Sequence, residues 1–230
     1  MIRGSNALLW VALMAGLVFG CQADPAPGDP DAYQRPQLPA LDLTGVDWGN
    51  PDCDPLIPES CALPFPSNKY LVEDATRVTG YTLTFGPTTL PANSAGSIMD
   101  PVPYQRMDGY GVGSAIVIYF PGLDDANLPN ENQIADSLAD DAPILLYEVK
   151  ASGISRVPYF AELDTMGSFD GEAPLFVRPA VIPEEATRYI VAFRDLMHKD
   201  GNPVASPIAF QALIRGQTAG TPLESRQARF

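Results

Sequence analysis

The clearest alternation of apolar and polar positions falls in residues 186–214, and it predicts a long β-hairpin. In residues 186–195, Tyr189, Val191 and Phe193 share one face by the two-residue period of a strand, and Ile190 and Ala192 share the other. A strand apolar on both faces belongs deep inside a sheet. The turn follows through residues 198–203, where Asp200, Gly201 and Asn202 suit the positive φ of a tight hairpin. Pro203 and Pro207 delay the expected return strand to residues 208–214.

Further runs carry the same signature. Residues 81–85 read as a strand. Residues 114–120 are apolar on both faces and stop at Pro121-Gly122, which predicts a central strand. Residues 143–149 and 156–163 form a pair joined by a loop at 150–154. In the second of these, Val157, Tyr159, Ala161 and Leu163 share a face, while Pro158 argues for an edge position. Residues 174–178 add a short strand, and Ile134 with Leu138 allows a turn or two of helix in residues 130–138. Roughly seven short strands within about 100 residues predict an all-β, Ig-like antiparallel β-sandwich over residues 110–216. Residues 47–109 are rich in Pro and Gly and poor in periodicity, so they are expected to wrap over the sandwich surface. Residues 217–222 read as a linker, and residues 223–230 as the start of a helix, with Leu223 and Phe230 a heptad apart.

Composition supports strands and turns over helices. Proline is 24 of 230 residues, roughly twice its usual share, while charged residues make up only 18%. The net charge of −14 is scattered along the chain. Such a surface repels phosphate backbones, so a nucleic-acid partner is not expected.

The N-terminus changes the picture from architecture to address. Arg3 precedes an uncharged run, apolar over residues 7–19, in the layout of a secretory signal peptide and short for a membrane span. Val18-Phe19-Gly20-Cys21 resembles the lipobox of bacterial lipoproteins, which implies acylation of Cys21 after removal of residues 1–20; an ordinary cleaved signal with an incidental Cys21 is the other reading. Acylation implies that the protein is held on a membrane without spanning it. Gln22, standing where an Asp would resemble the inner-membrane retention signal, implies the outer membrane. Residues 21–46 then form a flexible linker, almost devoid of apolar side chains through residue 42.

With Cys21 assigned to lipid, Cys53 and Cys61 remain. In an exported chain an even remainder predicts a disulfide; the alternative metal site has no further cysteine or histidine nearby, since His198 is the chain's one histidine.

Catalytic chemistry is not evident. No Gly-x-Ser-x-Gly pentapeptide occurs, and residues 167–171 have the wrong spacing for one. His198 reads as a solvated turn residue. The carboxylate pairs Asp124 with Asp125, Asp140 with Asp141 and Asp195 with Asp200 do not fit the spacing of a calcium loop, although a single calcium held by loop carbonyls and Asp124 or Asp125 is an open alternative. No cofactor is expected. Trp48 and Tyr33 precede the core and are candidates for an exposed sugar platform.

The hairpin of residues 179–210, with its Asp200-Gly201-Asn202-Pro203 turn and Phe210, resembles the closing hairpin of bacterial Ig-like domains on surface proteins. Together with the lipobox, the cysteine pair, the Pro-Phe-Pro-Ser run at 64–67 and Asp108-Gly109-Tyr110, it is similar to the domain that precedes the α/β-hydrolase domain in bacterial lipase-like lipoproteins. The resemblance spans residues 51–216 and implies a noncatalytic, lipid-anchored extracytoplasmic module, a spacer or interaction domain accessory to a hydrolase. Its partners would be the membrane through Cys21 and a hydrolase or cell-surface protein. Two alternatives follow from the same residues: the front of a secreted lipase or esterase, and a surface adhesion or glycan-binding module.

Overall fold

The computed structural model describes residues 10–14, 38–164 and 173–230. Cys21, Tyr33 and most of the expected signal and linker lie outside these residues. The first described element is a short strand, β1 (Trp10–Met14).

Apolar alternation produces strands where the sequence places it. In the first sheet β5 (Ile144–Lys150) pairs antiparallel with β6 (Gly153–Arg156) across a two-residue turn, and with β9 (Arg188–Phe193) in the register Ile144↔Phe193 to Val149↔Arg188. β1 adds antiparallel to the far side of β9, giving the order β1-β9-β5-β6. A second antiparallel sheet runs β4 (Ile116–Ile118), β8 (Leu175–Pro179), β7 (Tyr159–Leu163). β2 (Leu71–Glu73) and β3 (Tyr81–Leu83) form a third, two-stranded piece. Among the described residues the fold is all-β, with one α-helix, α1 (Ile208–Arg215).

One apolar cluster draws on both larger sheets. Ile144, Leu146, Val191 and Phe193 come from the first, and Ile116, Tyr159, Leu175 and Val177 from the second. Each such side chain contributes about 1.5–3 kcal/mol on burial. Tyr159 ties the layers with a polar bond as well, its hydroxyl donating to the Ile144 carbonyl at 2.7 Å.

The structure departs from the sequence pattern in several places. Residues 208–214 are helix, not the return strand of a hairpin. Ala209, Phe210, Ala212 and Leu213 are buried at helical spacing, and Gly216 closes the helix at φ 69°, its N–H donating to Ala212 and Leu213 carbonyls. Residues 156–163 are not one strand: after Arg156 the chain leaves the first sheet, and it enters the second at Tyr159. Pro158, lacking an N–H, sits at the crossing. β4 is the outermost strand of its sheet rather than a central one; its apolar run is explained by Phe65, which exchanges two backbone bonds with Val117 at 2.8 and 2.6 Å. Residues 47–109 do more than wrap, since Tyr70, Leu71, Tyr81, Leu83 and Phe85 make a small core of their own.

The flanks are folded onto the body. Leu41 and Leu43 pack on the main cluster, and the Leu41 N–H donates to Gln217 Oε1 at 2.9 Å, so residues 38–46 do not behave as free linker. At the other flank Leu223 is fully buried and Phe230 meets the Phe210 ring edge-on at 5.6 Å. Residues 217–230 therefore belong to the folded unit, with a 3₁₀ turn at Glu224–Arg229 in place of a helix start.

Candidate functional site

Cys53 and Cys61 form a disulfide, with Cα atoms 4.7 Å apart. Inside this loop the Asp54 side chain turns inward and is fully buried. Its Oδ1 accepts the Leu56 N–H at 3.1 Å and a bond from Arg226 Nη1 at 2.7 Å; its Oδ2 accepts the Ser67 hydroxyl at 2.6 Å. Arg226 Nη2 donates to Asn68 Oδ1 at 2.8 Å, so the guanidinium bridges two residues of the N-terminal half. A buried carboxylate is tolerated only when paired and hydrogen-bonded in this way. The consequence is local: with residues 54–57 fixed, Leu56 and Ile57 are held against the main core.

That loop forms one wall of an apolar groove of about 460 Å³, a volume typical of ligand pockets. Ile118–Phe120 and Phe193 line it from the sheets, with the rings of Phe120 and Phe193 edge-to-face at 5.3 Å. The opposite wall is the turn at residue 198 and residues 204–210 leading into α1. Asp47 and Glu59 stand on the rim, both exposed. The Asp47 carboxylate already accepts the Gly49 N–H at 2.9 Å.

The groove thus draws residues 55–59 from the disulfide loop and His198 from the start of the turn. The Asp200-Gly201-Asn202 turn is tight: Gly201 has φ 83° and donates to the His198 carbonyl at 2.8 Å, and His198 N–H donates to the Asn202 carbonyl at 2.8 Å. Hydrogen bonds from the Asn202 backbone and side chain hold the Asp200 carboxyl below the usual range, with a smaller contribution from the charge of His198. His198 is fixed to the loop after β4 by its bridge to Leu123 and by Lys199, whose N–H donates to the Gly122 carbonyl at 3.0 Å. It is a groove residue, not merely a solvated turn residue.

The remaining candidates are not brought together. Asp124 Oδ1 accepts the Ala126 N–H at 3.1 Å in its own turn, the Asp140 carbonyl accepts a bond from Arg194, and Asp195 sits at φ 51°. Among the described residues no group of three His, Cys, Asp or Glu side chains is placed to hold a metal. Trp48 is partly buried against the main core. Among the described residues the groove lining is apolar apart from His198, Tyr119 and the carboxylates of Asp47 and Glu59. Such a lining suits an apolar group.

A smaller cleft of about 240 Å³ lies between β6 and residues 181–189. Beside it Lys150 Nζ pairs with Glu148 and Glu184 at 2.9 and 2.7 Å, and Tyr189 donates to Glu148 Oε1 at 2.9 Å. The bonds from Lys150 and then Tyr189 hold the Glu148 carboxyl below its usual range.

Asp54, Asn68 and Arg226 carry no local sequence signal that links them. No family model, curated protein or solved structure matches the chain.

Proposed function

We propose that this chain is a noncatalytic, lipid-anchored extracytoplasmic domain of Ig-like architecture, acting as an interaction module accessory to a hydrolase. The observation that carries the reading is the groove itself: an apolar surface of about 460 Å³, bordered by residues of the disulfide loop and by His198, that suits an apolar group of a partner. A disulfide suits an oxidising compartment, in keeping with the signal-like segment and Cys21. An interaction role is favoured over a plain spacer because both flanks fold back on the body. Arg215 Nε donates to the Pro39 carbonyl at 3.0 Å, and Arg226 reaches Asp54, so the body is not strung between its two flanks.

Two measurements test this. Native protein taken from the membrane fraction should have the mass of a chain that begins at an acylated Cys21, and signal-free Cys21→Ser protein should not hydrolyse short acyl esters above a no-protein control. Turnover blocked by a serine-directed inhibitor would overturn the noncatalytic reading. A much larger native mass would move the function to a longer lipase or esterase of which these residues are the front part.

A further inference from the structure

Sheet edges expose unpaired N–H and C=O groups, and folded proteins close or blunt them. Here β4 is closed by Phe65, which makes two backbone bonds to Val117. The edge strand β7 is preceded by Pro158, and its Ala161 N–H donates to the Pro129 carbonyl at 2.7 Å. β6 is four residues long and starts at a glycine. β9 is different. Its six residues, Arg-Tyr-Ile-Val-Ala-Phe, include no lysine, proline or glycine, and its far edge is covered by β1, paired from Trp10↔Phe193 to Met14↔Tyr189.

β1 lies within the segment that the lipobox reading removes. We infer that the outer edge of β9 is a strand-acceptor site, vacated when residues 1–20 are cleaved and then filled by an extended, uncharged β-strand of a partner polypeptide that ends in an acidic residue. This inference rests on the anchor reading. The strand seated there now shows what the edge accepts: five consecutive residues without charge, antiparallel to β9. Main-chain bonds would supply affinity, as in other cases of strand addition. The acidic residue follows from the register. A fifth position faces Tyr189, so a sixth would lie opposite Arg188, and directly opposed side chains share a face at about 5 Å. Arg188 Nε is buried with no hydrogen-bond partner among the described residues, and an incoming carboxylate would provide that nitrogen with an acceptor.

The test uses the processed protein and two synthetic peptides. Both carry the sequence of residues 10–14; one continues with Glu and the other with Lys. Intact mass first establishes whether residues 1–20 are gone. Amide hydrogen exchange of residues 188–193 is then followed with each peptide. The Glu peptide should protect these amides and bind about tenfold more tightly than the Lys peptide. Arg188→Ala protein should still bind but lose that preference. A mass that retains residues 1–20 overturns the anchor reading and the vacated edge together. A mass starting at Cys21 with no protection by either peptide overturns the strand site alone. A dimer in sedimentation, protected at β9 without peptide, overturns the partner strand in favour of a second copy.

Discussion

Arg226 Nη1 lies 2.7 Å from Asp54 Oδ1, joining residues 172 positions apart in an ion pair whose side chains are 10% and 0% exposed. Removing one member leaves the other charge buried without a partner. Arg226→Ala should therefore destabilise the protein by about 3–5 kcal/mol, read as a lower urea midpoint. Asp54→Asn with Arg226→Met should lose less than the sum of the two single changes, because the double variant buries no uncompensated charge. Additive losses would show that the pair acts as two independent sites.

The disulfide should act on stability and on the groove together. A loop with a separation of 8 residues stabilises by about 2.5 kcal/mol through restriction of the unfolded chain. Cys53→Ala with Cys61→Ala should lower stability by about that amount. Hydrogen exchange should rise first in residues 53–61, the wall of the groove, before it rises in β5 or β9. Equal changes throughout the sheets would argue that the loop is not a separate wall.

Alkaline pH should unfold the protein through buried phenols. Burial is the main cause raising Tyr70, Tyr110 and Tyr159 well above the ordinary tyrosine value. A group raised on folding contributes stability that is complete below its unfolded pKa, here about 10, and is lost as pH rises from there toward the folded value. Absorbance titration should show Tyr70, Tyr110 and Tyr159 ionising together with loss of circular dichroism. Smooth titration of all nine tyrosines in the native state would contradict their burial.

The helical state of residues 208–215 depends on its C-terminal cap. Gly216 at φ 69° lets its N–H turn back onto the last helical carbonyls, and Gln217 N–H donates to the Ala212 carbonyl at 2.9 Å. Gly216→Ala introduces a Cβ that the left-handed region disfavours, so stability should fall by about 1 kcal/mol in urea denaturation. No loss would mean that the cap does not hold this geometry in solution.

Much of the sheet architecture was legible because its determinants are local. The two-residue alternation in residues 143–149 and 186–195 sets which side chains share a face, and the glycine and proline positions set where strands stop. The helix is ambiguous in the sequence for a local reason too: in residues 208–214 apolar side chains are so dense that strand and helix periods both fit. The stop at Gly216 and the good helix formers Ala209, Gln211, Ala212 and Leu213 were the signals that separate them. The split of residues 153–163 between two sheets was foreshadowed only by Pro158.

The site was less legible. His198 stands out in the chain, as do Cys53 and Cys61, yet nothing local says that His198 and residues 55–59 of the disulfide loop line one groove. Arg226 reads as one more charged residue in a polar tail.

The sequence by itself determined the β-rich class, the strands of residues 143–149 and 186–193, the tight turn at residues 198–203 and the cysteine pairing, since each rests on neighbours within a few residues or on residue type alone. Only the tertiary structure decided that Asp54 meets Arg226, that Leu56 and Ile57 wall an apolar groove against α1, and that β9 offers its far edge to another strand. The physical reason is that burial and hydrogen-bond satisfaction are settled between segments: a buried carboxylate needs a cation wherever the fold can bring one, and a sheet edge needs a partner that its own strand cannot supply.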